Sequence, residues 1–430
     1  MTTGTGNSSD SLNGPSPAAV HKDTDYSFEP VPVTARKGIL PLVFVMIGFT
    51  FTSSAMSVGA KMGTLADFPS FAIALLLGGL FLSVYTGSLA YISCRTGMSF
   101  DLLARHSFGM RGSRLPSLVI AMTQMGWFGV CTAMFALPVS EYLGCSPYIA
   151  AAASGACMTL TAYIGFKGLE ILSYVAVPLI LALGLWSLHL ALGDAGGSLA
   201  DIFRDSNGEP DLNLLTGMVI GCFISGGSST PNFTRFARTP GIAVLSTVAG
   251  FGLGNSLMLL FGAAGGAITG KDDIFYVMIA QGLLLSGFLV LGANVWTTND
   301  NALYSAGLGL SNIFSVRKKI MVLAAGVLGT ACSFWLYEHM VSWLQFLGAT
   351  LPAIGTIMIL HYWRYRNEYH KPAKRFRNWR FSAIIGTVAG LLSGIFIPLG
   401  NSSINSMVVA AVVWYVCQLL ENRLAKGAAA

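Results

Sequence analysis

Charged residues are scarce in this chain. Only 10% of its 430 residues are Asp, Glu, Lys or Arg, whereas an ordinary soluble domain has about 25%. Because 53% of the residues are hydrophobic, so few charges cannot cover the surface of a water-soluble protein of this size. The composition therefore excludes a soluble globular protein and predicts an all-α membrane protein that crosses the bilayer several times.

The chain also lacks the residue groupings of a metal centre, a disulfide framework or a hydrolytic site. Its seven cysteines are scattered through apolar segments without a CxxC pair, and its six histidines form no HExxH motif. No two carboxylates share an apolar run, so we do not expect an enzyme. The net charge of +6 comes from basic residues in short loops, so we expect neither nucleic-acid binding nor an obligate protein partner.

Apolar runs long enough to cross a bilayer, in contrast, are numerous. A spanning helix needs about 20 mostly apolar residues, and the chain has twelve such runs between clusters of charged or turn-forming residues. The predicted spans are 38–64, 68–94, 116–143, 147–166, 169–192, 213–238, 240–270, 274–310, 318–337, 341–363, 379–397 and 404–423. The eighth is long enough to be tilted or to include a loop.

The positions of the basic residues predict the orientation. If the N-terminus is cytoplasmic, every Lys and Arg except Lys61, Arg204 and Lys271 falls on the cytoplasmic side. An even number of spans places the C-terminus there too, so we expect a multi-pass protein of the cytoplasmic (inner) membrane. Residues 1–37 are polar and lack the apolar core of a signal peptide, so they are predicted to form a disordered cytoplasmic tail, with 424–430 as a second tail.

Polar residues interrupt two of the spans. Span one contains FTSSAMS at 51–57, and span six contains ISGGSSTP at 224–231, which is the stronger interruption because it adds paired glycines and a proline. Broken helices at membrane depth are typical of a binding site between two repeats. We therefore predict an inverted pair of five-helix repeats, 38–192 and 213–363, followed by two accessory helices in 379–423.

Span eight carries the most polar intramembrane run, NVWTTNDN at 294–301. Asn294, Thr297 and Thr298 share one helical face by their i, i+3, i+4 spacing. The Asn294 carbonyl and the two hydroxyls, facing unwound carbonyls of span one, offer neutral oxygens suited to a monovalent cation such as sodium. Hydrogen bonding between helices is the alternative use of these residues.

Asp300 is the one acidic residue that we place well inside a span. An intramembrane carboxylate is expected to have a function. Its position, about 120° around the helix from the Asn294 face, argues against ligation of the same ion. A helix-pairing group and a proton carrier remain the alternatives.

Span three presents an amide and an indole at mid-membrane. Gln124, Trp127, Phe128 and Cys131 follow helical spacing. A planar heteroaromatic ligand that stacks on Trp127 would receive one donor and one acceptor from Gln124. Packing of Trp127 in the core is the alternative.

The chain closely resembles the nucleobase cation symporter 1 family over nearly its whole length. The resemblance rests on the segments PVTARKG (32–38), LARHSFG (103–109), QMGWFG (124–129), CFISGG (222–227), IAQGLLL (279–285) and NVWTTNDNALY (294–304). It implies a leucine-transporter fold of twelve transmembrane helices, in which a five-plus-five inverted repeat has helices 1 and 6 broken. It also implies sodium-coupled uptake of cytosine.

The resemblance also implies the residues of two sites. The base would lie between the rings of Trp127 and Phe223, and its edges would bond Gln124, Ser225, Asn294 and backbone near Cys222 and Gly226. Sodium would bind the carbonyls of Gly48, Phe51 and Asn294 and the hydroxyls of Thr297 and Thr298. The family pattern has Ser at position 222 and Ala at position 226, and these differences matter little if both positions contribute backbone groups only.

Residue spacing alone leaves the substrate open. Uracil, a purine, hydantoin or a hydroxymethylpyrimidine is an alternative planar substrate, because the Gln124 amide can flip to suit either arrangement of donors and acceptors. Coupling to protons through Asp300 is an alternative to sodium. A channel is a third possibility, which would show a continuous ring of polar groups lining a pore.

Overall fold

The fold is described from a computed structural model, which describes residue 26 and residues 29–164, 167–203, 211–314, 316–369 and 377–427. The structure is helical throughout this part of the chain, and an isolated bridge between Lys37 and Ala237 is the one β pairing there. The α-helices are α1 (Ile39–Thr50), α2 (Ser53–Leu65), α3 (Phe68–Thr96), α4 (Phe100–Phe108), α5 (Arg114–Leu143), α6 (Pro147–Ile164), α7 (Lys167–Asp194), α8 (Leu199–Ile202), α9 (Leu212–Ser228), α10 (Pro231–Thr234), α11 (Pro240–Thr247), α12 (Asn255–Thr269), α13 (Ile274–Ala280), α14 (Leu284–Phe314), α15 (Lys318–Ala331), α16 (Ser333–Glu338), α17 (Met340–Tyr365), α18 (Phe381–Phe396) and α19 (Ser402–Gly427).

Eight of the predicted spans are supported by length and apolarity. Seven helices of the described chain are long and apolar enough to cross a membrane, and α1 with α2 makes an eighth if the bent pair counts as one span. The other four predicted spans contain α6, α14, α15 with α16, and α18, which are too short or too polar to be recognised on those grounds alone. The number twelve therefore stays a prediction.

Span one is broken where its polar run begins. Helix α1 ends before Phe51, α2 begins after Thr52, and the two axes differ by 50°. The Thr52 side chain caps α2 by accepting a hydrogen bond from the backbone N–H of Ala55 at 3.2 Å. A Thr-Ser-Ser sequence thus favours a new helix start over continuation of α1.

Span six is interrupted more gently than expected. Ser229 and Thr230 separate α9 from α10, yet both residues keep right-handed helical dihedrals. Pro231 is the first residue of α10, where a proline removes no helical hydrogen bond. The expectation that span six carries the stronger interruption is therefore wrong. The predicted break in span one is confirmed, and span six is interrupted only by the two residues between α9 and α10.

Helices of one half pack against helices of the other. Span one contacts span seven through α2 and α12, and span six contacts span two through α9 and α3. Glycine makes the first contact close: a side chain at Gly262 would overlap the Met56 carbonyl of α2. Helices α5 and α14, spans three and eight, also pack together. The polar runs of spans one, three, six and eight therefore meet inside the bundle.

Two irregularities lie outside the predicted breaks. Predicted span eight begins with the short helix α13 and a connection at 281–283 before α14, which matches the loop allowed for in that long segment. Span seven contains a π-helical segment, Val248–Gly254, between α11 and α12. Such segments often occur at functional positions, and nothing in the sequence pattern predicted this one.

The end of the predicted N-terminal tail is ordered. Val31 is buried, and its N–H donates to the Gly97 carbonyl. The Lys37 N–H donates to the Phe236 carbonyl, just beyond α10. Residues 29–37 thus depart from the predicted disorder because their backbone finds partners on the bundle, whereas residues 1–25 and Arg204 lie outside the described residues.

Candidate functional site

A cavity lies at the meeting point of the polar runs. Its empty space, including the part that opens to solvent, is about 440 Å³. The residues that line it are uncharged: Phe49, Thr52, Ser54, Gln124, Trp127, Cys131, Cys222, Phe223, Gly226, Thr298, Asn299 and Ala302. Aromatic, hydroxyl and amide groups therefore face the same space, which suits a neutral planar ligand better than an ion.

Most residues predicted to bind a base line this cavity. Gln124 and Trp127 reach it from α5, and Cys222, Phe223 and Gly226 reach it from α9. Gln124 is 6% exposed and Trp127 is 9% exposed. The predicted placement of these five residues around one space agrees with the structure, although their role in binding stays a prediction.

Ser225 does not line the cavity. Its hydroxyl lies behind Gln124, where the Gln124 Nε2 donates to Ser225 Oγ at 2.9 Å and the Thr123 hydroxyl lies 2.8 Å from the same oxygen. The predicted direct contact of Ser225 with substrate is therefore not supported, because these neighbours occupy the hydroxyl. Ser225 instead holds the Gln124 side chain in position at the cavity, through a hydroxyl that can either donate or accept.

Asn294 does not line the cavity either. Its Oδ1 accepts hydrogen bonds from the Ser53 N–H at 2.7 Å and the Ser53 hydroxyl at 2.9 Å. Its Nδ2 donates to the Phe51 carbonyl at 2.7 Å. The side-chain amide thus joins the two ends of the span-one break, which leaves its predicted contact with substrate unsupported.

The predicted cation ligands gather around the same break. The hydroxyls of Thr297 and Thr298 lie 2.8 and 2.9 Å from the Asn294 carbonyl, to which both donate. The hydroxyl protons point to that carbonyl, so lone pairs of both oxygens remain for a cation. On the side of span one, the Thr52 N–H donates to the Thr50 carbonyl, which releases the Gly48 carbonyl from its usual i+4 partner.

The chemistry of this oxygen cluster suits a monovalent hard cation. The predicted ligands are neutral oxygen atoms: the carbonyls of Gly48, Phe51 and Asn294 and the hydroxyls of Thr297 and Thr298. Within the described chain, no group of three or more His, Cys, Asp or Glu residues could hold a metal ion. A set of neutral oxygens suits a monovalent cation better than a divalent or transition metal, and sodium itself stays a prediction.

Asp300 lies away from both sites. Its Oδ1 accepts from the Thr161 hydroxyl of α6 at 2.8 Å, and the Trp296 indole N–H donates to the same Thr161 oxygen at 2.9 Å. Asp300 is 1% exposed and does not line the cavity. Its contacts agree with the predicted position off the Asn294 face.

Several cavity residues were not predicted. The ring of Phe49, two residues before the break, lies 5.9 Å edge-on from that of Phe223. A side chain at Gly226 would come within 2.8 Å of the Phe49 ring, so glycine here makes room for Phe49. The position of Phe49 close to the break could have indicated it from sequence. The polar run of span eight could likewise have indicated Asn299.

Comparison with known proteins assigns the family. The model of the family described as permease for cytosine/purines, uracil, thiamine and allantoin matches residues 30–420. The cytosine permease of Escherichia coli strain K12 is 44% identical over 404 residues, which cover 94% of this chain and 96% of that protein.

Solved structures support the fold. The inward-facing conformation of Mhp1 matches with a TM-score of 0.79 at 18% identity, covering 91% of this chain and 93% of that one. The closed conformation of Mhp1, a nucleobase-cation-symport-1 family transporter with bromovinylhydantoin bound, matches with a TM-score of 0.75 at 18% identity over 90% and 93% of the two chains. These likenesses confirm the leucine-transporter fold that the sequence resemblance implied, whereas the count of twelve helices stays a prediction. The chain is a membrane protein that belongs to the family of permeases for cytosine/purines, uracil, thiamine and allantoin.

Proposed function

We propose that the protein is a symporter that imports cytosine together with sodium across the cytoplasmic membrane, with both termini in the cytoplasm. The observation that carries the proposal is an uncharged cavity with an indole and an amide beside a cluster of neutral oxygens. The 44% identity to a cytosine permease over almost the whole chain supports cytosine as the substrate.

The cavity residues define how the base would bind. Cytosine would stack between Trp127 and Phe223, and each base–aromatic contact of this kind contributes about 1–3 kcal/mol in nucleic-acid complexes. Gln124, held by Ser225, would bond an edge of the ring. Backbone groups near Cys222 and Gly226 would complete the edge, since both residues line the cavity.

Sodium would couple to the base through span one and α14. The ion would bind carbonyls at the break, and the Asn294 side chain joins both ends of that break. Thr298 belongs to the oxygen cluster and also lines the cavity. An ion that orders the break would therefore favour the substrate-binding state, and the substrate would favour the ion by the same factor.

Transport would proceed by alternating access, in which the helices that carry the breaks move relative to the rest of the bundle. One sodium ion moving through about 100 mV gains roughly 2.3 kcal/mol. A tenfold sodium gradient adds about 1.4 kcal/mol, which together allow accumulation of up to about a few hundred-fold.

One observation favours a second candidate, coupling to protons. Asp300 is a buried carboxylate inside a span, and the hydroxyl of Thr161 donates to it. A carboxylate in that environment suits a proton carrier. The oxygen cluster favours sodium because it contains no carboxylate at all.

The test is uptake of radiolabelled cytosine by proteoliposomes. An inward sodium gradient should drive accumulation above equilibrium, and replacement of sodium by choline should abolish it. Trp127→Ala should remove uptake, whereas Trp335→Ala, at an exposed indole on α16, should retain it. Uptake that survives sodium removal but collapses with the proton gradient would show that protons, and not sodium, are the coupling ion. Transport of uracil or hydantoin in preference to cytosine would contradict the assignment of cytosine as the substrate.

A further inference from the structure

Asn299 lines the cavity, and one of the two polar atoms of its side-chain amide has no hydrogen-bond partner among the described residues. It lies on α14 and is fully buried. Its Oδ1 is buried without a hydrogen-bond partner in the part of the chain that the structure describes. An unpaired buried acceptor is costly, so a group that donates to it from the cavity would stabilise the bound state.

The other half of the amide is held in one orientation. The Nδ2 of Asn299 lies 3.3 Å from the Phe128 carbonyl, 3.3 Å from Thr132 Oγ1 and 3.2 Å from Met158 Sδ. The Thr132 hydroxyl donates its proton to the Phe128 carbonyl at 2.7 Å. Both oxygens therefore offer only lone pairs to Asn299.

This arrangement prevents the amide from flipping. A flip would place Oδ1 against a carbonyl oxygen and a hydroxyl lone pair, where it would find repulsion and no donor. Gln124 differs because its Nε2 meets the Ser225 hydroxyl, which can either donate or accept. Of these two lining residues, Gln124 can thus adapt its amide, whereas Asn299 keeps Oδ1 as an acceptor.

We propose that Asn299 binds the exocyclic amino group of the substrate and thereby selects an aminopyrimidine over an oxopyrimidine. The inference rests on the proposed function, since it assumes that cytosine occupies the cavity. The amino group of cytosine would donate to Oδ1. Uracil presents a carbonyl oxygen at the same position, and two acceptors would face each other without a proton between them.

The test compares three ligands that differ at this one position: cytosine, pyrimidin-2-one, which lacks the amino group, and uracil. Their inhibition constants are measured against radiolabelled cytosine in saturating sodium. In the wild type, cytosine should bind about tenfold more tightly than pyrimidin-2-one. In Asn299→Leu, which keeps the volume but loses the acceptor, the two should bind within about twofold of each other, with binding measured by ligand-induced thermal stabilisation if uptake is lost.

The outcomes separate the two hypotheses. An unchanged ratio of cytosine to pyrimidin-2-one in Asn299→Leu, or equal weakening of both ligands, would overturn the role of Asn299. Wild-type protein that binds no cytosine would instead reject the proposed function. Asn405→Leu, near the start of α19 and away from the cavity, is the matched control and should keep the wild-type ratio.

A second variant covers the case in which Asn299→Leu does not fold. Thr132→Val removes one of the acceptors that fix the amide and leaves Asn299 in place. The flipped amide becomes less costly, so uracil should compete several-fold better relative to cytosine. Unchanged discrimination against uracil in a folded Thr132→Val protein would equally overturn the proposal.

Discussion

The backbone groups at the two interrupted spans find their hydrogen-bond partners in different ways. In span six, the chain does so itself: the Ser229 N–H donates to Ser225 and Gly226 carbonyls, and the Thr230 N–H donates to Gly227. In span one, the backbone at Phe51 and Ser53 depends on Asn294, which lies 241 residues beyond Ser53. The span-six interruption is therefore local, whereas the span-one break relies on α14 for the partners of two backbone groups.

This difference gives a physical reason to expect that the proposed ion and substrate sites depend on each other. Span six presents Phe223 and Gly226 to the cavity from a backbone that needs no outside support. In span one, the Asn294 amide of α14 bonds the backbone at both ends of the break, and α14 also supplies Thr297, Thr298 and Asn299. Substitutions in α14 should consequently affect span one more than substitutions at the span-six interruption affect span six.

The largest effect is expected from Asn294→Ala. The change leaves the Ser53 N–H and the Phe51 carbonyl without partners at membrane depth, and each costs about 1–3 kcal/mol. We expect loss of sodium-driven cytosine uptake together with a large fall in melting temperature in detergent. Asn405→Ala, in which the lost amide bonds only the nearby loop carbonyls of Ile397 and Leu399, should keep most of the uptake.

The matched comparison uses span six. Ser228→Ala removes a hydroxyl that bonds the Tyr85 hydroxyl at 2.8 Å but no backbone bond of the interruption itself. It should lower uptake much less than Asn294→Ala does. Equal losses in the two variants would contradict the distinction between a local interruption and one supported by α14.

The next effect is expected from Thr297→Val. Valine keeps the shape and removes the hydroxyl oxygen, so sodium would lose one proposed ligand while the residues that line the cavity stay unchanged. We expect the sodium concentration for half-maximal uptake to rise about tenfold, with little change in cytosine affinity at saturating sodium. The measurement is uptake as a function of sodium concentration.

The control for Thr297→Val is Thr387→Val in α18. Its hydroxyl also donates to a backbone carbonyl of its own helix, that of Ala383 at 2.9 Å, but it lies outside the two repeats. It should leave the sodium dependence unchanged. A wild-type sodium dependence in Thr297→Val would remove this residue from the cation site.

Much of this arrangement could be predicted from sequence, because helices in a membrane leave few places for polar residues. Gln124, Trp127, Thr297 and Thr298 stand out as polar or amphipathic groups at mid-membrane with helical spacing. The gentle course of span six could not be predicted, since Pro231 is disruptive inside a helix but harmless as its first residue.

The roles of individual side chains were harder to predict. Whether Ser225 faces the cavity or a neighbouring helix depends on the rotation of α9 against α5, which tertiary packing determines. The bond from Asn294 to span one joins residues more than 240 positions apart in the chain. Spacing within one helix carries no information about such a partner, so it could not indicate that the Asn294 amide bonds the backbone of span one.

A smaller effect is expected from Gly226→Ala, which tests the span-six side of the cavity. The added methyl group would lie 2.8 Å from the Phe49 ring, so this ring, which lines the cavity, must shift. We expect cytosine affinity to fall a few-fold with unchanged sodium dependence, and Phe49→Leu in the same protein to restore it. Gly241→Ala, where a side chain meets nothing within 4 Å, is the control.

The smallest effect concerns the half of span one that α2 forms, where α2 bonds residues in and just after the connection between α12 and α13. The Ser57 hydroxyl accepts from the Ile274 N–H at 3.1 Å, and Lys61 pairs with Asp272. Asp273, in the connection between α12 and α13, accepts from the Tyr337 hydroxyl at 2.8 Å. Burial raises the pKa of Asp273 to about 6, against the effect of its hydrogen bonds to Phe275 and Tyr337.

The raised pKa fixes the sign of a pH dependence. The folded protein holds this proton more tightly than the unfolded chain, so the stabilisation is complete below the ordinary pKa of about 3.8 and is lost as pH rises through about 6. Asp273→Asn keeps an acceptor for the Phe275 N–H but cannot ionise. The difference in melting temperature in detergent, Asp273→Asn minus wild type at the same pH, should therefore increase from about pH 4.5 to about 6.5. Asp211→Asn, at an exposed N-cap of α9 that accepts from the N–H groups of Asn213 and Leu214, should follow the wild type. A parallel course for Asp273→Asn and the wild type would show that folding does not make Asp273 hold its proton more tightly.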